Sequence, residues 1–231
     1  MKLDMLEVGN GGMTDSEYQL HMTMWAAMRS PLLIGTNILT LTPQSYSIYT
    51  NPAILAISQD PSGGVVQRTW RYFVPSTDQY GLGEIQLWAG QLAYGDYCVI
   101  FLNAANEDMY MNATLADIFL GAGYSTTSNT QSNFDVYDLW ANRMPNATAQ
   151  MILNGNSTMG AMNGTSYLYN ATAQSYAEGI AKNDTLLMGK MVGTWEAGAQ
   201  WSAMVPRHGV MAYRLRPQGS PTTMRRKRDK L

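Results

Sequence analysis

The hydrophobic pattern changes character near residue 60. From Thr14 the apolar positions Tyr18, Met22, Trp25 and Met28 recur at i, i+4, i+7 and i+10, which predicts a helix; Thr14 and Glu17 stand at capping-box spacing, and Ser30-Pro31 ends it. Leu32-Leu33-Ile34-Gly35 is short, apolar and bounded by Pro and Gly, as expected of a strand buried on both faces in a parallel sheet. A second helix is predicted from Pro43 to Tyr49, with Asn51-Pro52 ending or restarting it. Beyond Asp60-Pro61-Ser62-Gly63-Gly64, period-2 runs bounded by turn residues take over: 66–74, 84–88, 97–102, 134–140 and 209–215. These predict antiparallel strands in a two-sheet sandwich. The stretch from Asn146 to Thr172, rich in Met, Asn, Gly, Ser and Thr, has no clear period and is expected to form surface loops with short strands. Arg225-Arg226-Lys227-Arg228 predicts a solvated tail over 218–231.

Composition narrows the function classes. With 45% hydrophobic and 14% charged residues in 231, the chain can bury a core, and a net charge of −2 without a basic stripe argues against nucleic acid as partner. The longest apolar runs are strand-length, so no membrane span is predicted. Cys98 stands alone inside the apolar run from Tyr97 to Leu102 and is expected to be a buried hydrophobe. His21 and His208 have no ligand-type neighbours at metal-binding intervals, so neither a metal nor a cofactor is expected. Glycosylation sequons occur at Asn112, Asn146, Asn156, Asn163, Asn170 and Asn183, against roughly two or three expected by chance. That excess predicts a secreted protein, although the opening Met1-Lys2-Leu3-Asp4 has no apolar segment of signal-peptide type.

The string Asp4-Met5-Leu6-Glu7-Val8-Gly9-Asn10 resembles the W-N-D-x-D-M-L-E-V-G-N signature of fungal α-galactosidases (melibiases) of glycoside hydrolase family 27. His21, Trp25-Ala26 and Ser30-Pro31-Leu32, then Ala56-Ile57-Ser58-Gln59-Asp60-Pro61, are similar to elements that follow that signature. Gly83-Glu84-Ile85-Gln86-Leu87-Trp88, Tyr137-Asp138-Leu139-Trp140-Ala141-Asn142 and Val205-Pro206-Arg207-His208-Gly209 are similar to the family's C-terminal sandwich. The resemblance implies an α+β chain in three parts. Residues 1–62 are the remnant of the last β/α units of a TIM barrel (helix seven, strand eight, helix eight), 63–217 an antiparallel β-sandwich, and 218–231 the basic tail.

For function the resemblance implies hydrolysis of terminal α-linked galactose from oligosaccharides by a retaining mechanism, which needs two carboxyl groups about 5 Å apart. In the family both catalytic aspartates lie on earlier barrel strands, so no catalytic residue is expected here and the chain alone is expected to be inactive. Only Asp4 and Met5 match pocket residues and are carried over as substrate-binding. Lys2 departs from the first signature aspartate, and Asn37 falls at or beside an aspartate usual after strand eight. Residues 1 to about 60 are expected to leave Leu32 to Ile34 as an exposed edge. The alternative is a non-catalytic glycan-binding or scaffold sandwich, with Trp70, Trp88, Trp140, Trp195 and Trp201 as candidate sugar platforms.

Overall fold

The structure, a computed structural model, describes residues 3–121, 129–155 and 167–219. They divide into two compact units, one of residues 3–60 with 139–155 and 167–190, the other of 61–121 with 129–138 and 191–219.

In the first unit, α1 (Asp15–Ala27) starts where the capping box places it: the Thr14 side chain accepts from the Glu17 N–H at 3.4 Å, and the Glu17 carboxylate accepts from the Thr14 N–H at 2.6 Å. Tyr18 and Met22 on the predicted face are buried, but so are Thr23, Met24, Ala26 and Ala27, so burial wraps well around the helix. The next two helices, α2 (Pro43–Tyr49) and α3 (Pro52–Ser58), both open on proline behind a capping Thr42 or Asn51, where a missing N–H costs nothing. Instead of a strand at Leu32 to Ile34 there is one parallel bridge, Leu6 to Ile34. The Leu6 N–H donates to Leu33 O at 2.7 Å and the Gly35 N–H donates to Leu6 O at 2.9 Å. Leu33 and Ile34 are 58% and 46% exposed, because a pair of strand segments supplies too little sheet to cover them.

Residues 139–190 correct two expectations. In place of a continuous sandwich the described residues carry α5 (Asn146–Leu153), α6 (Tyr176–Ala181) and α7 (Thr185–Met188), grouped with the first unit; of the stretch expected to form loops with short strands, 146–153 is helical, 167–172 is turn and irregular chain, and 156–166 lies outside the described residues. Long-range polar contacts fix that grouping. The Asn51 carboxamide donates to Leu139 O at 3.2 Å, Trp140 Nε1 donates to Thr23 Oγ1 at 2.9 Å, and Arg143 Nε donates to Ser47 Oγ at 2.7 Å. Ile180 and Leu187 bury against Ala56, with Tyr169 and Tyr176 at the edge of that cluster. The predicted strand at 134–140 accordingly stops at Asp138, and Leu139 and Trp140 turn into this packing.

The second unit holds β1 (Gln67–Phe73), β2 (Glu84–Gln91), β3 (Tyr97–Asn103), β4 (Met109–Thr114), β5 (Phe134–Asp138), β6 (Lys190–Trp195, entering from the first unit), β7 (Gln200–Val205) and β8 (Gly209–Pro217). One sheet has the order β1-β2-β3-β8-β5-β6, the other pairs β4 with β7, and a helix α4 (Leu115–Phe119) follows β4. Leu87, Val99, Phe101, Met111, Phe119, Phe134, Trp195, Val205 and Leu215 form the core of this unit. Every residue of β3 is buried, Cys98 included, as its continuous apolar run requires. β4, β6 and β7 went unpredicted: their Met, Asn, Gly and Ser content has weak strand preference, and β4 finds β7 only across some ninety residues. Gln218 is no part of a loose tail, since its N–H donates to Asn133 O at 2.9 Å; residues 220–231, with the basic cluster, lie outside the described residues.

Candidate functional site

The parallel bridge brings the opening signature and the Gly35-Thr36-Asn37 turn side by side in the first unit. Asp4 is exposed; its Oδ1 accepts from the Met5 N–H at 2.9 Å and its carbonyl accepts from Trp25 Nε1 at 2.8 Å. Met5 is 43% exposed and leans over Gly35. A Cβ on Gly35 would lie 3.0 Å from Leu6 O, 3.2 Å from Met5 Cβ and 3.4 Å from Glu7 Oε1, so this glycine is a close-approach position that lets the two segments meet.

Helix α1 orients the next residue. The Glu7 N–H donates to His21 Nε2 at 3.1 Å, and the His21 ring lies 3.8 Å from that of Trp25. Burial pushes the His21 pKa below its ordinary value, partly opposed by Glu7, so the ring stays a neutral acceptor. The Glu7 carboxylate accepts a hydrogen bond from Asn10 Nδ2, which also reaches Gly35 O at 3.4 Å. Beneath, Tyr49 Oη donates to Val8 O at 3.0 Å and Thr36 Oγ1 to the same carbonyl at 2.5 Å. Burial raises the Tyr49 pKa and keeps it a donor. Gly9, at φ 93°, turns the chain where a Cβ would press on Ser45 Oγ at 2.7 Å. The Gly11 N–H then donates to Tyr18 Oη at 2.7 Å.

This network gathers Asp4, Met5, Glu7, Asn10 and Gly35, of which the sequence reading selected the first two. Asn37 points its chemistry locally, its Oδ1 capping a short 3₁₀ turn by accepting from the Leu39 N–H at 3.0 Å. Beside this network, a cavity of about 320 Å³ is lined by Gly9, Gly11, Met13, Asp15, Tyr18, Thr42, Gln44 and Ser45, which no sequence pattern signals. A further one of about 420 Å³ lies between Asp15, Gln44, Arg143 and Asn146. The fork from Arg143 to Asp15, at 2.5 and 2.8 Å, holds the Asp15 carboxyl below the usual carboxylate range. A general acid needs the opposite shift. No group of three or more His, Cys, Asp or Glu able to hold a metal occurs among the described residues.

The tryptophan candidates are mostly structural. Trp195 and Trp140 are buried, and Trp201 stacks on Trp195 with centroids 6.0 Å apart. Trp70 packs against the core of the second unit, and half-buried Trp88 donates its Nε1 to Gln86 Oε1 at 2.8 Å. Of the sequons, Asn112, Asn146 and Asn170 are exposed, Asn183 is half-buried with φ 58° and a buried Oδ1, and Asn156 and Asn163 lie outside the described residues.

Taken separately, the two units are a helical unit with a single parallel bridge and an antiparallel unit of two sheets. Residues 2–60 match the family model described as "Alpha galactosidase A", and residues 82–162 match "Alpha galactosidase C-terminal beta sandwich domain". α-Galactosidase 2 of Saccharomyces cerevisiae is 48% identical over 215 residues, covering 93% of this chain and 44% of the relative. The α-galactosidase of Lachancea cidri is 49% identical over 217 residues, 94% of this chain and 45% of the relative. A solved structure of an S. cerevisiae α-galactosidase superimposes with a TM-score of 0.87 at 46% identity, covering 94% of this chain and 47% of that one; a raffinose complex of the yeast enzyme matches equally well. α-Galactosidase I of Mortierella vinacea matches with a TM-score of 0.62 at 27% identity, over 93% and 38% of the two chains. The chain belongs to the α-galactosidase (melibiase) family, glycoside hydrolase family 27, and spans less than half the length of these relatives. No helix among the described residues is long and apolar enough to cross a membrane.

Proposed function

We propose that this chain contributes the last rim segments and the C-terminal sandwich of an enzyme that releases terminal α-D-galactose by the retaining two-carboxylate mechanism. The nucleophile and the acid/base are carried on family segments that this chain does not match. Asp4 and Met5 line the galactose pocket: Asp4 offers a carboxylate to sugar hydroxyls and Met5 an apolar wall. The observation that carries the reading is the parallel bridge that seats Met5 against Gly35, with exposed Asp4 directly before it. The raffinose complex of the yeast relative supports galactose-containing oligosaccharides as the substrate class. The surplus of sequons supports passage through the secretory pathway.

Two assays test the proposal. The purified 231-residue chain should release nothing above buffer from a chromogenic α-galactoside, beside a full-length yeast relative as positive control; turnover would overturn the assignment of both catalytic groups elsewhere. Joined to the preceding barrel segment of that relative, the chain should complete an active enzyme. There Asp4→Asn should lower kcat/KM by about 10- to 100-fold, the worth of a charged hydrogen bond. An unchanged kcat/KM would remove Asp4 from the pocket.

A further inference from the structure

Among the six sequons only Asn112 has an aromatic residue two positions before it, in Tyr110-Met111-Asn112-Ala113-Thr114. On a strand, positions i and i+2 share a face, and the burial of β4 shows which: Met111 and Ala113 point into the core, whereas Tyr110 and Asn112 point out. The partner strand β7 sets Met204 opposite Tyr110 and Ser202 opposite Asn112. Tyr110 is 63% and Met204 57% exposed, so an apolar platform stands open beside the carboxamide. Ser202 Oγ donates to Asn112 Oδ1 at 2.8 Å. That bond turns the oxygen toward the partner strand and leaves Nδ2, the atom that carries an N-glycan, on the outward side.

We propose that Asn112 is an N-glycosylation site whose first N-acetylglucosamine lies on Tyr110 and Met204. The proposal rests on the secretory reading above. Asn112 Nδ2 attacks the anomeric carbon of a lipid-linked oligosaccharyl diphosphate; the C1–N bond forms as the C1–O bond to the diphosphate breaks, the lipid diphosphate leaves with the bonding pair, and one amide proton passes to a base. Once attached, the sugar presents its C–H face to the phenol ring and the methionine side chain, taking both out of water. Neighbouring sequons are built differently. The exposed Asn170 turns its Oδ1 back to accept from the Thr172 and Ala173 N–H groups at 3.1 Å each, with Leu168 two positions before it; Asn146 opens α5 two residues after buried Met144.

The test is to secrete the 231-residue chain from a yeast host behind a cleavable leader, which imposes pathway entry and separates this site from the question of native localisation. Glycopeptide mass spectrometry should find Asn112 occupied. Asn112→Gln should lower the Tm by about 2–4 °C when Tyr110 is present and by less than about 1 °C in a Tyr110→Ala background. Trimming to a single N-acetylglucosamine should keep the Tm, and complete amidase removal should lower it. If a variant is retained in the cell, an amidase-sensitive gel shift of the intracellular pool reads occupancy instead. An unmodified Asn112, or an equal Tm shift in both backgrounds, would overturn the proposal.

Discussion

Asp96→Asn is the most informative perturbation of the second unit. Asp96 is fully buried and joins two buried arginines of β8: its Oδ1 accepts from Arg216 Nε at 2.8 Å, and its Oδ2 accepts from Arg216 Nη2 at 2.6 Å and Arg214 Nη1 at 2.8 Å. Asparagine keeps the volume, removes the negative charge and replaces one acceptor with an NH₂ group aimed at guanidinium donors. Each charge-assisted bond is worth about 1.5–3 kcal/mol, but the three share one carboxylate and do not add. Breaking a buried pair by neutralising one partner typically costs about 3–5 kcal/mol, because a desolvated charge is left behind. Against a domain stability of about 5–15 kcal/mol, that is roughly a fifth or more. Urea unfolding followed by the fluorescence of core Trp195 should therefore show a lower midpoint with an unchanged slope. Glu84→Gln is the internal control on the same sheet: the Arg71–Glu84 pair is 3.6 Å long with the Arg71 side chain 41% exposed, so its loss should cost under about 1 kcal/mol. A loss below about 1 kcal/mol for Asp96→Asn, or equal losses for the two variants, would refute the reasoning.

Other expectations follow from the same physical rules. Burial pushes the Tyr213 hydroxyl up to about 12, so the folded state holds that proton more tightly than the unfolded chain. The resulting stability is present below pH 10 and is lost as pH rises from about 10 to about 12, by roughly 2–3 kcal/mol at most. Urea midpoints across that range should fall, and less so for Tyr213→Phe. Asp15 has a lowered pKa because of Arg143, so its contribution is present above about pH 4 and disappears as pH falls through the folded value. With Asp15 half-exposed the effect should stay under about 1 kcal/mol, and Arg143→Ala should abolish that acid sensitivity in the unfolding curve. Gly179→Ala would drive a methyl into Tyr169 Oη and Leu187 Cδ1 inside a buried cluster, costing about 1–3 kcal/mol by overpacking; thermal denaturation would register it.

The residues that made the site legible are those whose chemistry is local. Asp4-Met5-Leu6-Glu7 announced itself as a contiguous string, and Thr14 with Glu17, Pro43 and Asn51-Pro52 placed helix starts, because capping and proline geometry act within a few residues. The Glu7–His21 contact was not legible, since it spans 14 positions and depends on how α1 packs under the signature. The cavity at Gly9 and Ser45 was hidden for the same reason.

By itself the sequence determined the family, the change from helical to strand periodicity near residue 60, and five of the eight strands among the described residues, since alternation and apolar runs encode which face is buried. Only the tertiary structure decided that helices at 146–153, 176–181 and 185–188 group with the first sixty residues. Asn51, Thr23 and Ser47 bind Leu139, Trp140 and Arg143 across 88 to 117 positions, and no periodicity encodes such pairs. It also decided that Leu32 to Ile34 makes a single bridge rather than a strand. A parallel strand is stabilised by neighbours on both edges, and among the described residues only the Leu6 segment lies beside it.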